Sequence, residues 1–302
     1  MLAPIALFTY NRLSHTRHLV ESLLKNDLAI ESKLYIFSDG IKSSKDEQQV
    51  KEVRKYLRSI TGFRSVDIIE SSQNLGLANS IITGVSSILE IYDKVIVLED
   101  DLILSPYFLR FMNDALTIYE GESKVGCVNG HVIDLKKYQP ETFFIKHIDS
   151  WGWGTWRRAW QLFEPDGKKL LKQLQENNLC STFDFEGSYP FVQMLRRQIE
   201  GKSNSWAIRW RASLLLQDLL SVNVGKSLVE HKGSDGSGTN CGKGELFPTH
   251  LYCERPIMIK KETPIETIEA RRTMKRMYRW YNSKIHKGWI ELSYKIRLLL
   301  KK

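Results

Sequence analysis

The chain has 302 residues, is 42% hydrophobic and 11% aromatic, and carries a formal charge of +9. This composition is ordinary for a globular protein and gives no indication of disorder. Between Thr263 and Lys302, 11 Lys and Arg residues stand against three Glu, so this segment holds +8 of the excess. Because the remainder is close to neutral, we predict no nucleic-acid partner.

The first eight residues, Met1–Phe8, are apolar but follow no basic segment and lead to no small-residue cleavage site. They predict a buried strand instead of a signal peptide. No stretch reaches the roughly 20 apolar residues of a membrane span. The four cysteines lie far apart without CxxC spacing, which favours reduced thiols over disulfides or zinc. We therefore expect a cytoplasmic protein.

The first hundred residues alternate between short apolar runs and segments with helical periodicity. Four runs predict strands: Pro4–Thr9, Leu34–Phe37, Val66–Ile69 and Lys94–Leu98. Strands that alternate with helices predict an α/β fold, a parallel sheet with helices on both faces. In such sheets a ligand lies beyond the carboxyl ends of the strands.

Three of these strands end in polar residues. Thr9, Asn11 and Arg12 follow the first strand, and the Arg12 guanidinium suits a diphosphate. Asp39 follows the second strand and has an acceptor for a uracil N–H or a ribose hydroxyl, although such residues also belong to ordinary turns. Glu99-Asp100-Asp101 follows the fourth strand. Adjacent carboxylates indicate either a hard cation that bridges phosphates or an acidic helix N-terminus.

Two further segments are candidates. The turn that contains Asn74 precedes a predicted helix. Either the backbone amides of this turn bind an anion, or Asn74 caps the helix. Farther along, Val125–Asn129 and Phe143–Ile148 predict strands. They precede a glycine–tryptophan loop in which Trp151 and Trp153 offer faces for a sugar ring, or else form a core cluster. Residues 185–221 look mostly helical, and residues 233–244 are a glycine-rich loop.

The segments Thr9-Tyr10-Asn11-Arg12, Asp39, Asn74-Leu75-Gly76 and Glu99-Asp100-Asp101 together resemble the GT-A glycosyltransferase fold. Val97–Leu102, with Pro106 and Phe108, is similar to the EDD motif of N-acetylglucosaminyltransferases that act on mannosides. To about residue 255 the chain is also similar to bacterial surface-polysaccharide transferases. The resemblance implies a mixed, mainly parallel sheet flanked by helices, and a Mn²⁺ or Mg²⁺ cofactor.

The resemblance also implies roles for the motif residues. Asp101 would contact the metal, and Glu99 and Asp100 would contact ribose or metal-bound water. The family's base aligns with residues 204–209, where this sequence has no carboxylate. Asp149, before the tryptophan loop, and Asp235, in the glycine-rich loop, are the candidate replacements, and a retaining mechanism stays open. The resemblance also implies an additional metal ligand near the end of the domain, where Asp235 and Asn240 are the candidates. His231 and His250 flank this region, and we assign a role to neither.

The last segment interleaves Lys and Arg with aromatic residues, which favours a helix on an anionic membrane surface. Packing on the body of the protein is the main alternative. We thus expect a GT-A domain over residues 1–260, with a nucleotide-sugar half (1–104) and an acceptor half (105–260), and a basic amphipathic helical segment over 261–302.

The predicted function is metal-dependent transfer of a hexose or N-acetylhexosamine from a nucleoside-diphosphate sugar, expected to be UDP-linked, to a bacterial surface glycan or lipid-linked glycan. The protein would act in the cytoplasm, at the inner face of the plasma membrane. The alternatives are a sugar nucleotidyltransferase, against which the absence of a glycine-rich loop after the first strand argues, and a non-catalytic binding subunit.

Overall fold

The computed structural model describes residues 1–233, 249–286 and 288. Within them the strands, numbered in chain order, are β1 (Ile5–Thr9), β2 (Lys33–Ser38), β3 (Ser65–Glu70), β4 (Lys94–Glu99), β5 (Leu102–Leu104), β6 (Val125–Asn129), β7 (Thr142–Ile145), β8 (Trp153–Trp156), β9 (Leu220–Val224) and β10 (Val229–His231). The helices are α1 (Leu13–Leu24), α2 (Glu47–Leu57), α3 (Leu77–Ile91), α4 (Phe108–Ile118), α5 (Arg157–Trp160), α6 (Gly167–Glu176), α7 (Cys180–Phe183), α8 (Phe191–Ile199), α9 (Trp206–Leu216) and α10 (Ile268–Tyr281).

Eight strands form one sheet in the order β3-β2-β1-β4-β8-β6-β9-β7. Strands β1 to β4 pair in parallel, as predicted. Because alternate residues of a strand face opposite sides of the sheet, Ile5 and Leu7 of β1 enter one hydrophobic cluster, and Ala6 and Phe8 enter the other. This burial on both faces explains why these strands have continuous apolar sequences.

The second part of the sheet joins the first through β8, which pairs antiparallel with both β4 and β6. We predicted that Trp153–Trp156 belongs to a loop, and this was wrong. Gly154 allows the strand to pack closely, since a β-carbon there would lie 3.0 Å from the Val95 carbonyl oxygen and from the Met112 side chain. The region 185–221, expected to be mostly helical, contains α8 and α9 and ends at the start of β9.

Of the seven strand pairings in this sheet, β1–β2, β1–β4, β2–β3 and β6–β9 are parallel, and β4–β8, β6–β8 and β7–β9 are antiparallel. The predicted mixed, mainly parallel sheet flanked by helices is therefore confirmed. Separately, β5 and β10 pair antiparallel, with His231 opposite Leu102. This small sheet brings a late segment of the chain back to the end of β4.

Helix α10 packs against the body of the protein through the buried residues Met274, Met277, Tyr278 and Tyr281. Its start is fixed to β7, because the Thr267 backbone N–H donates to the Phe144 carbonyl at 2.8 Å. Helix α10 covers residues 268–281 of the predicted segment 261–302, of which residues 287 and 289–302 lie outside the described part. In the described ranges, no helix has the length and apolarity required to cross a membrane.

Candidate active site

The acidic end of β4 lies against Arg12, which follows β1. The Arg12 guanidinium pairs with both oxygens of Asp100, and its Nη2 lies 2.9 Å from Asp101 Oδ2. Because β1 and β4 are parallel neighbours, their carboxyl ends share one edge of the sheet. The predicted convergence of Arg12 with the carboxylates at this edge is therefore observed. Arg12 Nη1 is buried and has no hydrogen-bond partner among the described residues.

The three carboxylates differ in electrostatic environment. Burial raises the pKa of Glu99 to about 8, and repulsion from Asp101 and Asp100 adds to the effect. Burial also raises the pKa of Asp100 to about 6, although Arg12 opposes the shift. Burial would raise the pKa of Asp101 as well, but His231 and Arg12 together lower it to about 2. Asp101 is thus the most strongly ionised of the three.

His231 was not assigned from the sequence, and it lies beside Asp101. Its Nε2 is 3.5 Å from Asp101 Oδ2. The pairing of β10 with β5, which starts at the residue after Asp101, places it there. The Lys232 backbone N–H reinforces this arrangement by donating to the Asp101 carbonyl at 2.8 Å. A separation of 130 residues hides this contact from any local sequence pattern.

This pair fits a divalent metal ion. Two neighbouring ligands of an octahedral Mg²⁺-sized ion lie about 3 Å apart, close to the observed separation of Asp101 Oδ2 and His231 Nε2. Gly233 leaves the space open, because a β-carbon there would lie 2.4 Å from Asp101 Oδ2 and 2.7 Å from His231 Nε2. No cluster of three or more metal-binding side chains occurs in the described residues. A metal here would therefore take further ligands from phosphate and water.

Asp39 is hydrogen-bonded to the turn that precedes α3. Its Oδ1 accepts hydrogen bonds from the backbone N–H groups of Gly40 and Leu75, both at 2.8 Å. Its Oδ2 accepts from the Gly76 N–H at 2.9 Å and from Asn74 Nδ2 at 3.1 Å. The acceptor capacity of this carboxylate is used within the protein. The structure thus favours the turn interpretation of Asp39 over contact with a nucleotide.

Asn74 belongs to the same arrangement, and it is not the helix cap, because Gly76 with φ of 73° precedes α3. Asn11 is half-buried, and its side-chain amide donates to Asp46 at 3.3 Å. Thr9 Oγ1 is buried at the end of β1 without a hydrogen-bond partner in the described ranges. These residues line the same edge of the sheet as Arg12, and their contact with a donor stays a prediction.

The two candidate tryptophans, Trp151 and Trp153, differ in burial and in their contacts. Trp153 is 0% exposed and lies in the core, stacked against Trp206 at 5.1 Å and close to Trp160 and Trp210. It cannot offer a face to a sugar in this arrangement, so the core interpretation holds for Trp153. Trp151 is half-buried and stacks on His231, with ring centroids 4.1 Å apart and an interplanar angle of 8°.

Asp149 forms a hydrogen-bonded pair with His131, a residue that the sequence did not single out. His131 Nδ1 lies 2.6 Å from Asp149 Oδ2, and the Trp151 backbone N–H donates to Asp149 Oδ1 at 3.2 Å. The side chain of Asp149 is 18% exposed. Asp149 is therefore accessible and held by two donors. Asp235, the other predicted base, lies outside the described residues.

No protein-family model and no curated protein matches this chain. Among solved structures, the mannosyltransferase PcManGT from Pyrobaculum calidifontis in complex with GDP-Man and Mn²⁺ is similar, with a TM-score of 0.34 and 11% identity over 57% of this chain and 46% of that chain. S. aureus TarS gives a TM-score of 0.41 and 15% identity over 78% of this chain and 37% of that chain. Its fragment 1–349 in complex with UDP gives 0.35 and 16%, over 59% and 49%.

The chain thus spans less than half the length of each of these proteins. The overall similarities are low, so the function proposed below rests on the geometry of this chain's own residues.

Proposed function

We propose that this protein is a metal-dependent glycosyltransferase that uses a nucleoside-diphosphate sugar. The convergence of Arg12, Asp101 and His231 at the carboxyl edge of the sheet carries the proposal. A guanidinium next to a carboxylate–histidine pair combines the two features that a bound diphosphate requires, a fixed donor and a cation site.

Asp101 and His231 would hold the metal ion, and Mn²⁺ suits a site with an imidazole ligand better than Mg²⁺ does. When bound, the metal supplies Lewis-acid stabilisation of the leaving diphosphate. Arg12 keeps Asp100 and Asp101 in place through its Nε and Nη2 atoms. Its Nη1, which has no hydrogen-bond partner in the described residues, would donate to a diphosphate oxygen.

Asp149 would accept the proton of the acceptor hydroxyl, as an inverting transferase requires. A cleft of about 230 Å³ begins one residue after His131 and is lined by Val132, Asp134, Lys226 and Tyr252, among others. This volume accommodates a sugar ring, and Lys226 Nζ lies over the Tyr252 ring, 4.5 Å from its centroid. We assign the cleft to the acceptor, and Trp151 to the space between donor and acceptor.

We further propose a UDP-linked hexose or N-acetylhexosamine as the donor and a bacterial surface glycan or lipid-linked glycan as the acceptor. Attachment to the cytoplasmic face of the plasma membrane would involve the outward face of α10, where Arg272, Arg276, Arg279 and Trp280 are exposed. Cosedimentation with phosphatidylglycerol vesicles, compared with phosphatidylcholine vesicles, tests this surface. Replacing the three arginines with glutamine should abolish the difference.

The donor site is tested by thermal unfolding in a panel of nucleoside-diphosphate sugars with and without Mn²⁺. We expect at least one donor to raise the unfolding temperature only when Mn²⁺ is present, because binding to the native state alone stabilises it. Asp101→Asn should remove this increase. Asp67→Asn, on the exposed side of β3, is the control and should behave as wild type. A panel in which no donor shifts the wild-type protein would refute the proposal.

A further inference from the structure

His131 is a fully buried histidine next to the candidate base. Its side chain is 0% exposed, and its Nδ1 lies 2.6 Å from Asp149 Oδ2. An ionised carboxylate can only accept hydrogen bonds, so Nδ1 must carry the proton. The Trp151 backbone N–H restrains the other oxygen, Oδ1. Between them, these two donors fix the plane of the carboxyl group.

Packing alone does not account for a histidine at this position. His131 Nε2 is buried and has no hydrogen-bond partner in the described part of the chain. A buried polar atom without a partner costs about 1–3 kcal/mol, and a phenylalanine would fill a similar space without that cost. The benefit of histidine must therefore come from the contact that its other nitrogen makes, which is the one with Asp149.

The chain brings His131 to Asp149 by a close approach of two glycines. The Gly130 N–H donates to the Gly152 carbonyl at 2.8 Å. Gly152 has φ of 67°, and a β-carbon on it would lie 2.7 Å from the Val229 side chain. Gly152 therefore requires glycine, and at Gly130 a β-carbon would lie 2.5 Å from the Phe108 side chain. This contact aligns the segment that carries His131 with the segment that carries Asp149 and Trp151.

Trp151 connects this pair to the proposed metal site. Its ring packs edge-on against His131, with centroids 4.7 Å apart, and stacks on His231 on the other side. The rings of His131, Trp151 and His231 thus form one continuous row of contacts between Asp149 and Asp101. Rigid aromatic rings in contact hold the two carboxylates at a fixed separation.

We infer that His131 is a positioning residue, which orients the Asp149 carboxylate toward the acceptor hydroxyl and, through Trp151, relative to the diphosphate site. This inference rests on the proposed function. The other ionisable groups that interact electrostatically with Asp149 are Cys127, Arg211 and Tyr278, and His147 lies two residues earlier in the chain. None of them is hydrogen-bonded to Asp149 in the described residues, so His131 is the side chain that sets its orientation.

Two variants separate orientation from packing. His131→Phe keeps a ring against Trp151 but removes the hydrogen-bond donor. His131→Asn loses the ring but places an amide N–H close to the position of Nδ1. With the donor sugar that stabilises the wild type, we expect kcat to fall about 10²-fold in His131→Phe and KM for the donor to be unchanged. The kcat of His131→Asn should be at least about tenfold higher than that of His131→Phe.

Equal kcat values in His131→Phe and wild type, or a lower kcat in His131→Asn than in His131→Phe, would overturn the inference and leave the proposed function intact. ¹⁵N-histidine NMR spectra add a test that needs no substrate. They should show one Nδ1-protonated histidine with a low-field proton, and this signal should disappear in Asp149→Asn. If no donor binds the wild type, the proposed function fails, and a spectrum without this signal also overturns the inference.

Discussion

The two sides of the candidate site hold their charged groups by different means. On the donor side, Arg12 forms ion pairs with both Asp100 and Asp101. On the acceptor side, Asp149 is held by an imidazole and a backbone N–H, and the groups around it are mostly aromatic. The first arrangement concentrates charge for a charged ligand, whereas the second leaves a single carboxylate with its remaining acceptor capacity available. The contrast matches the proposed division between donor binding and proton transfer.

The largest expected effect concerns the acceptor side. Asp149→Asn removes the proton acceptor but preserves the shape of the side chain. We expect kcat to fall by a factor of about 10² to 10⁴, while the Mn²⁺-dependent thermal shift with the donor stays as in wild type. Steady-state kinetics and thermal unfolding on the same sample would show both. A parallel loss of donor binding would contradict the separation of the two sides.

On the donor side, removing the positive charge of Arg12 should lower the free energy of unfolding of the protein. Arg12→Met leaves Asp100 and Asp101 without their guanidinium, and breaking a buried pair in this way costs about 3–5 kcal/mol. Proton uptake by Asp100 limits the loss, because its pKa is already about 6. Urea denaturation at pH 7 measures the change. Arg58→Met is the control, because its ion pair with Glu70 is exposed and should contribute less than about 1 kcal/mol.

A smaller effect should show whether Asp39 stabilises the turn before α3 or contacts the nucleotide. Asp39→Asn places an amide group among donors that now meet carboxylate oxygens. We expect the free energy of unfolding to fall by about 2 kcal/mol even without nucleotide. Urea denaturation with and without the donor measures it. Unchanged stability together with weaker donor binding would restore the nucleotide-contact interpretation.

The smallest expected effect is a pH dependence of stability that comes from His147, whose Nε2 lies 2.9 Å from Tyr278 Oη. Burial lowers the pKa of His147 well below its usual value. Below about pH 6.5 the unfolded chain therefore binds a proton that the folded protein does not, so stability falls as pH decreases, by up to about 1.4 kcal/mol per unit. His147→Gln should flatten this slope between pH 6.5 and 5, as measured by urea denaturation. An unchanged slope would show that His147 is charged in the folded state.

Most of the donor side could be predicted from the sequence, because its residues follow the parallel strands of the first half of the sheet. Continuous apolar runs located β1 to β4, and the rule that their carboxyl ends meet brought Arg12 to Asp101. The acceptor side depends on contacts between distant segments. His131 reaches Asp149 through glycine backbone contacts, and His231 reaches Asp101 through a two-stranded sheet. Neither contact leaves a local pattern, and in Trp153–Trp156 the glycine–tryptophan composition concealed a strand.

The distribution of tryptophan gives this molecule a built-in optical asymmetry. All eight tryptophans fall between positions 151 and 289, so the first 150 residues contribute none. The buried rings of Trp153, Trp160, Trp206 and Trp210 pack against one another, and tryptophan emission, to which positions 280 and 289 also contribute, reports only on the chain after residue 150. Far-UV circular dichroism reports on both halves. Coincidence of the two unfolding curves would therefore establish that the halves melt cooperatively, without any label added to the protein.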